Sequence, residues 1–346
     1  MELLQISKKE LLEFVGTLVS GPLDVFGVVA HDGRFAYDKL DSAANLRLDF
    51  DETLYSPKQY LFPPKDPVLS YTPGDAASCA PVYAEKDQAI IGVHPGDMAA
   101  IAMLDKAFTE NKIDAHYCTR REKTTLVGIY PTKPGKYRFT SSMIKPEEPY
   151  LAADAFLIDM GDDSYTIEIV TDRGKEFFSA SAAKPATADG KAKAEKMKTA
   201  VKDTVTLKIK REDLPPFLDG KERHPVWETR GAKCFSCGSC VTVCPTCYCF
   251  DMLDELDLSF DYGLRFRTWD ACVLEPFAVC AGGHNFRTKA ADRIRHRLYR
   301  KQKYLLEKLG LAGCVGCGRC KTACVPDIAF PPDIDDDLLR KEAHHV

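Results

Sequence analysis

The chain has 346 residues, 45% of them hydrophobic, with 47 basic and 51 acidic side chains and a net charge of -4. That length suits two domains with buried cores, and the slightly acidic balance argues against a general nucleic-acid or polyanion binder. The most apolar stretch, residues 11–30, is interrupted by Glu13, Asp24 and a Gly-Pro pair. The opening residues also lack the basic start and apolar core of a signal peptide, so neither a membrane span nor export is expected and the protein reads as cytoplasmic.

Ser7 and Glu10 stand in capping-box spacing ahead of Leu11, Leu12, Val15, Leu18 and Val19, which predicts a helix ending at Gly21-Pro22. Short β-like runs follow at 24–37 around a His-Asp-Gly turn. The proline- and aromatic-rich passage 53–71 is expected to be extended, without helix. Ala89–Val93 reads as a buried strand, Asp97 as a cap, Met98–Phe108 as a helix and Thr124–Tyr130 as the next strand, together a βαβ unit. Phe156–Met160 and Tyr165–Val170, joined by Gly-Asp-Asp-Ser, read as a hairpin, and Phe177-Phe178 opens another short apolar piece. The Ala- and Lys-rich segment 181–206 suggests a surface helix over about 191–202 flanked by linker. The expected fold class is therefore α+β. A mixed α/β domain over 1–220, suited to partner docking, precedes a mostly helical, enlarged ferredoxin-like domain over 221–346, with helices at 251–257, 290–308 and 335–342. The acidic segment 331–337 reads as a solvated end, with a contact arm as the alternative.

The chain has 14 cysteines, and all but Cys79 and Cys118 fall between residues 234 and 324. In a reducing compartment such thiols act as metal ligands, and their number suits an anaerobic or well-reduced cell. Cys234, Cys237, Cys240 and Cys244-Pro245 follow the C-x2-C-x2-C-x3-C-P order of ferredoxin-type [4Fe-4S] runs. Cys314, Cys317, Cys320 and Cys324 repeat it, with Val325 before the proline. Three thiolates on a tight loop wrap one cluster, Gly238 or Gly318 lets the backbone approach, and the fourth cysteine reaches the other cluster. The expected sets are Cys234, Cys237, Cys240 and Cys324 for cluster 1, and Cys314, Cys317, Cys320 and Cys244 for cluster 2. Zinc is the competing reading, but zinc modules want two pairs, and each run here is a triplet plus one. Isolated Cys79 and Cys118 read as buried thiols.

Cys247, Cys249, Cys272, Cys280 and His284 lie between the runs. Cys247, Cys249 and Cys272 suggest a third cluster with His284 as fourth ligand and Cys280 as its competitor. Buried free thiols and a hydrogen-bonded histidine are the plain alternative. Basic residues crowd 287–303, where Asp292 is the one acid. They read either as a solvated helix face or as cations that offset cluster charge and raise cluster potentials, some of them docking an acidic partner. No dinucleotide fingerprint, P-loop, HExxH or Ser-His-Asp order is present, so no flavin or nucleotide is expected in this chain.

Cys244-Pro-Thr-Cys247-Tyr-Cys249-Phe250, Trp269-Asp-Ala-Cys272, Ala281-Gly-Gly-His-Asn-Phe-Arg287 and Cys314-Val-Gly-Cys-Gly-Arg-Cys320 together resemble the 4Fe-4S dicluster electron-transfer subunits of cytosolic anaerobic oxidoreductases. That group includes the beta subunit of NAD(P)-linked [NiFe] hydrogenase (sulfhydrogenase), the corresponding iron–sulfur component of anaerobic sulfite reductase and related components of heterodisulfide-reductase-type complexes. Gly92–Asp97 and Tyr117–Glu122 resemble the family's first domain more weakly, with Gly96 where the family often has cysteine. The resemblance implies a relay subunit, not itself catalytic, between a flavoprotein that handles NAD(P)H or a similar donor and a terminal hydrogenase or reductase subunit. The alternative is a self-sufficient iron–sulfur oxidoreductase whose first domain binds a flavin or substrate.

Overall fold

A computed structural model of the chain describes residues 2–340. It is an α+β protein that divides into two compact units, and the division is not a single cut near residue 220. The first unit takes the chain up to Phe62, Pro81–Lys136 and Lys145–Thr204. The second takes Pro63–Ala80, Tyr137–Ile144 and the chain from Val205 onward. No helix among the described residues is long and apolar enough to cross a membrane.

The first unit is built on an eight-stranded mixed sheet. Gln88–Val93, apolar and buried along most of its length, lies parallel to Asp24–His31 on one side and to Thr124–Ile129 on the other. The helices Pro95–Thr109 and Ala115–Glu122 form the crossover between Gln88–Val93 and Thr124–Ile129, the expected βαβ unit. The Ser7 capping box forms: the Glu10 amide donates to Ser7 Oγ at 3.2 Å, and the Ser7 amide donates back to Glu10 Oε2 at 3.0 Å. It starts the helix Lys8–Val19, whose Leu11, Phe14 and Val15 are buried. The hairpin Ala155–Asp159 and Ser164–Ile169 forms as expected.

Four local expectations are corrected in this unit. The helix Pro95–Thr109 starts ahead of Asp97, because Pro95 is pre-set for the first helical position; His94 is the cap residue and Asp97 lies in the first turn. One helical turn, Lys58–Leu61, interrupts the passage expected to be extended, beginning after Pro57 and stopping before Pro63. Phe177 and Phe178 lie on the helix Asp172–Phe178, capped by Thr171 Oγ1, which accepts from the Gly174 amide at 3.2 Å. The Ala- and Lys-rich helix runs Ala188–Lys198, started early by the Thr187 cap.

In the second unit the segment expected as a helix at 251–257 is instead a strand. Phe250–Leu256 pairs antiparallel with Gly263–Trp269, which pairs with Lys65–Thr72, in a four-stranded sheet. Asp257 turns this hairpin by accepting the Asp261 and Tyr262 amides at 3.0 Å each. The C-terminal unit therefore carries a sheet as well as helices and is not the mostly helical domain expected. The helical stretch at 290–308 is present as Ala290–Tyr299, a π-helical turn Arg300–Tyr304 and Leu305–Leu309.

The acidic segment is neither solvated nor an arm. Pro331–Leu339 is a helix with Ile334, Asp335 and Leu338 buried, while positions 341–342 of the expected helix lie outside the described residues. Arg230 fastens this helix, donating to the Ile328 carbonyl at 2.9 Å, the Asp333 carbonyl at 2.8 Å and Asp337 Oδ2 at 2.5 Å. Trp227, Ile294, Leu298, Tyr299 and Ile334 form the core beneath it.

Burial raises the Asp335 carboxyl to about 7. Gln302 donates to it at 2.7 Å and, with Arg230, works against the rise, whereas Asp336 adds to it. Because the folded value lies above the unfolded one, stability is lost as pH climbs from about 4 to about 7, by about 1.4 kcal/mol per pH unit. The Asp335→Asn variant is expected to lose less stability than the parent over that window, as read from denaturation midpoints at pH 5 and pH 8.

Candidate iron–sulfur site

The two cysteine runs fold alike. Backbone reversals at Ser236 (φ 51°) and Gly238 (φ 81°) lead into the turn of helix Ser239–Thr242. Gly316 (φ 68°) and Gly318 (φ 85°) lead into Arg319–Ala323. In the second loop the glycines are needed twice over. A Cβ would lie 2.5 Å from the Phe139 carbonyl oxygen at Gly316, and 2.5 Å from that of Tyr137 at Gly318. The Phe139 amide donates to the Gly316 carbonyl at 2.8 Å, so the distant segment Tyr137–Ile144 forms a wall of this loop. Nothing in the sequence marked that segment.

Cys234, Cys237, Cys240 and Cys324 line one cavity with Gly238, Ser239 and Arg297. Cys314 and Cys320 face Cys244, and Cys314 also faces Cys317. Cys324 thus shares a cavity with the first three cysteines of the first run, and Cys244 lies near two cysteines of the second. Cys240 in turn faces Cys324, Cys234 and Cys244, which makes the two groups neighbours. Burial pushes the Cys314 and Cys320 thiols up to about 12.

A third group gathers beside these. Cys247 hydrogen-bonds Cys244, and Cys249 hydrogen-bonds Cys272, within an apolar cluster that includes Val241, Ala271 and Val273. The bond from Cys272 holds Cys249 down to about 6, and the bond from Cys247 holds Cys244 well below the usual thiol range. His284 and Cys280 lie exposed on a turn with Gly282 and Gly283 at positive φ. The His284 ring packs on Phe286, and its carbonyl accepts the Cys280 amide at 2.8 Å. Of the two isolated cysteines, Cys79 is exposed on a strand, contrary to expectation, and Cys118 is partly buried.

The basic run divides. Lys303 meets Asp219 and Glu307, and Arg295 meets Asp292, toward solvent. Arg293, Arg297 and Lys301 are buried, so a purely solvated face is ruled out. Lys301 Nζ donates to Thr246 Oγ1 at 2.7 Å, and that hydroxyl lies 3.3 Å from Cys244 Sγ. Arg297 Nε is buried without a hydrogen-bond partner beside the first group of thiols. An orphaned donor and buried cations among thiols are the surroundings that an anionic iron–sulfur centre requires. Thr246 and the depth of Arg297 and Lys301 were not legible in the residue order.

Two ferredoxin-type loops around gathered thiols, with buried cations beside them, mark an iron–sulfur protein. Residues 233–328 match the family model described as a 4Fe-4S dicluster domain. The chain is also 30% identical over 320 residues to the sulfhydrogenase 2 subunit beta of Pyrococcus furiosus, spanning 90% of this chain and 91% of that one. The chain belongs to this family of 4Fe-4S dicluster subunits and is an iron–sulfur electron-transfer subunit. No solved structure matches it.

Proposed function

We propose that the chain is a cytoplasmic relay that carries electrons between a flavoprotein partner handling NAD(P)H or a similar donor and a terminal hydrogenase, sulfite-reductase or heterodisulfide-reductase-like subunit. One observation supports this reading: Cys234, Cys237, Cys240 and Cys324 line one cavity together with the buried Arg297. Cys234, Cys237, Cys240 and Cys324 would hold one [4Fe-4S] centre. Cys314, Cys317, Cys320 and Cys244 would hold a second, and Cys247, Cys249 and Cys272 a third. Such centres supply one-electron carriers whose potentials follow net charge, hydrogen bonding and exposure. The chain's own residues fix the spacing of the thiols.

His284 is kept as the proposed fourth ligand of the third centre, with Cys280 as its competitor. The glycine turn that carries both is joined to the third group through Phe277, which packs against the Cys247 and Cys272 cluster. The first unit, rich in sheet and without ferredoxin-type cysteines, is proposed to dock a partner. Anaerobic copurification is expected to bring down a flavin-containing protein together with a terminal subunit. Iron and acid-labile sulfide are expected at about twelve of each per chain, four for each [4Fe-4S] centre. About eight would remove the third centre and leave the other two, whereas zinc without sulfide would defeat the relay.

A further inference from the structure

Arg293, Arg297 and Lys301 recur every four residues along the helical stretch that begins at Ala290, and each is 5% exposed or less. Residues at that spacing share one helix face. Among the described residues no carboxylate pairs with any of the three, although buried cations require a countercharge.

The three do different work. Arg293 spends its guanidinium on the chain itself, donating to the Val273 carbonyl at 3.0 Å, the Arg287 carbonyl at 2.8 Å, the Thr288 carbonyl at 2.7 Å and Ser236 Oγ at 2.9 Å. It therefore braces the first cysteine loop. Arg297 is less satisfied: Nη1 donates to the Ala329 carbonyl at 3.0 Å and Nη2 to the Cys240 carbonyl at 3.2 Å, while Nε has no partner. Its side chain lines the cavity that Cys234, Cys237, Cys240 and Cys324 share. Lys301 donates to Thr246 Oγ1, which itself donates to the Gly313 carbonyl and lies 3.3 Å from Cys244 Sγ. Lys301 lies in the π-helical turn Arg300–Tyr304, where it and Gln302 are both buried while Lys303 reaches out to Asp219. Such turns recur where function holds a helix off its regular register.

We propose, resting on the relay reading above, that Arg297 and Lys301 are a buried cation pair whose missing anions are the iron–sulfur centres themselves, Arg297 serving the first centre and Lys301, beside Thr246 and Cys244, the second. The pair raises the reduction potentials of these neighbours together, because reduction adds negative charge beside a fixed positive one. Both residues position charge and neither ligates iron.

The test uses the full chain purified anaerobically as the parent and as Arg297→Gln, Lys301→Gln, Arg297→Lys and Lys301→Arg. Iron and sulfide are counted, and the reduced signals are titrated against ambient potential by electron paramagnetic resonance. At full iron content each neutral variant is expected to lower the signal of its neighbouring centre by about tenfold or more in the reduced-to-oxidised ratio at fixed potential, a shift of about 59 mV. The charge-keeping variants are expected to titrate near the parent. Parental potentials in both iron-replete neutral variants would overturn the proposal, as would charge-keeping variants that shift as far as the neutral ones. If the neutral variants lose iron, retention of iron by Arg297→Lys and Lys301→Arg supports the countercharge role, and its loss from those variants too refutes it. A parent chain without iron and sulfide would instead defeat the relay reading, so the two failures are told apart.

Discussion

Cys317→Ser is expected to slow electron flow through the assembled complex by roughly 100-fold or more, beyond the 10–100-fold typical of losing an outer-sphere partner of a metal ligand. Cys317 belongs to the loop in which Gly316 and Gly318 hold the backbone against Phe139 and Tyr137. That wall keeps the loop's shape when one thiol is replaced by a hydroxyl, so the lesion is chemical: a hard oxygen stands where a soft thiolate ligand is needed. The iron count should fall by about four per chain, the size of one centre. The terminal subunit's activity with an artificial donor that bypasses this chain should be unchanged. Undiminished turnover with the natural donor would rule out the relay.

The second large effect is structural. Asp66→Ala is expected to destabilise the second unit by about 3–5 kcal/mol. Arg267 Nε donates to Asp66 Oδ2 at 2.7 Å, with the two side chains 3% and 0% exposed, so removing the carboxylate takes this anion from a buried guanidinium. This pair ties Lys65–Thr72 to Gly263–Trp269, the strand that leads into Cys272. The neighbouring strand begins directly after Cys249, whose carbonyl accepts the Asp270 amide at 3.0 Å. Loss of the pair should therefore loosen the third thiol group before the first two. The expected readout is a fall of roughly 10 °C in the unfolding midpoint, with iron lost first from the centre assigned to Cys247, Cys249 and Cys272. The double replacement Asp66→Leu with Arg267→Met, which leaves no charge behind, should recover much of that loss. A single variant as stable as the parent would show that the pair carries little weight.

How much could be read in advance follows from the range of each interaction. The Ser7 capping box and the crossover between Gln88–Val93 and Thr124–Ile129 are short-range features, settled by side chains a few residues apart and by one unbroken apolar run. The strand Phe250–Leu256 reads as helix in the sequence, because its apolar residues alternate with acids in a way that suits either period over seven positions. The pairing with Gly263–Trp269, which itself lies on a segment from far upstream, decides it. The acidic helix Pro331–Leu339 reads as a solvated end for a related reason: its burial depends on Arg230, about a hundred residues earlier.

The residue order by itself determined the chemistry of this protein. Three cysteines within seven positions, separated by residues that permit a reversed backbone, make the same loop wherever they occur, and the chain has two of them. Only the tertiary structure decided how those loops are walled, paired and charged. Tyr137–Ile144 closes the second loop, Cys244 meets Cys314 and Cys320, and three of the many basic residues at 287–303 turn inward. Loop shape follows from local backbone sterics, whereas burial of a guanidinium or an ammonium is settled by the sum of packing and countercharge over segments that meet only once the chain has folded.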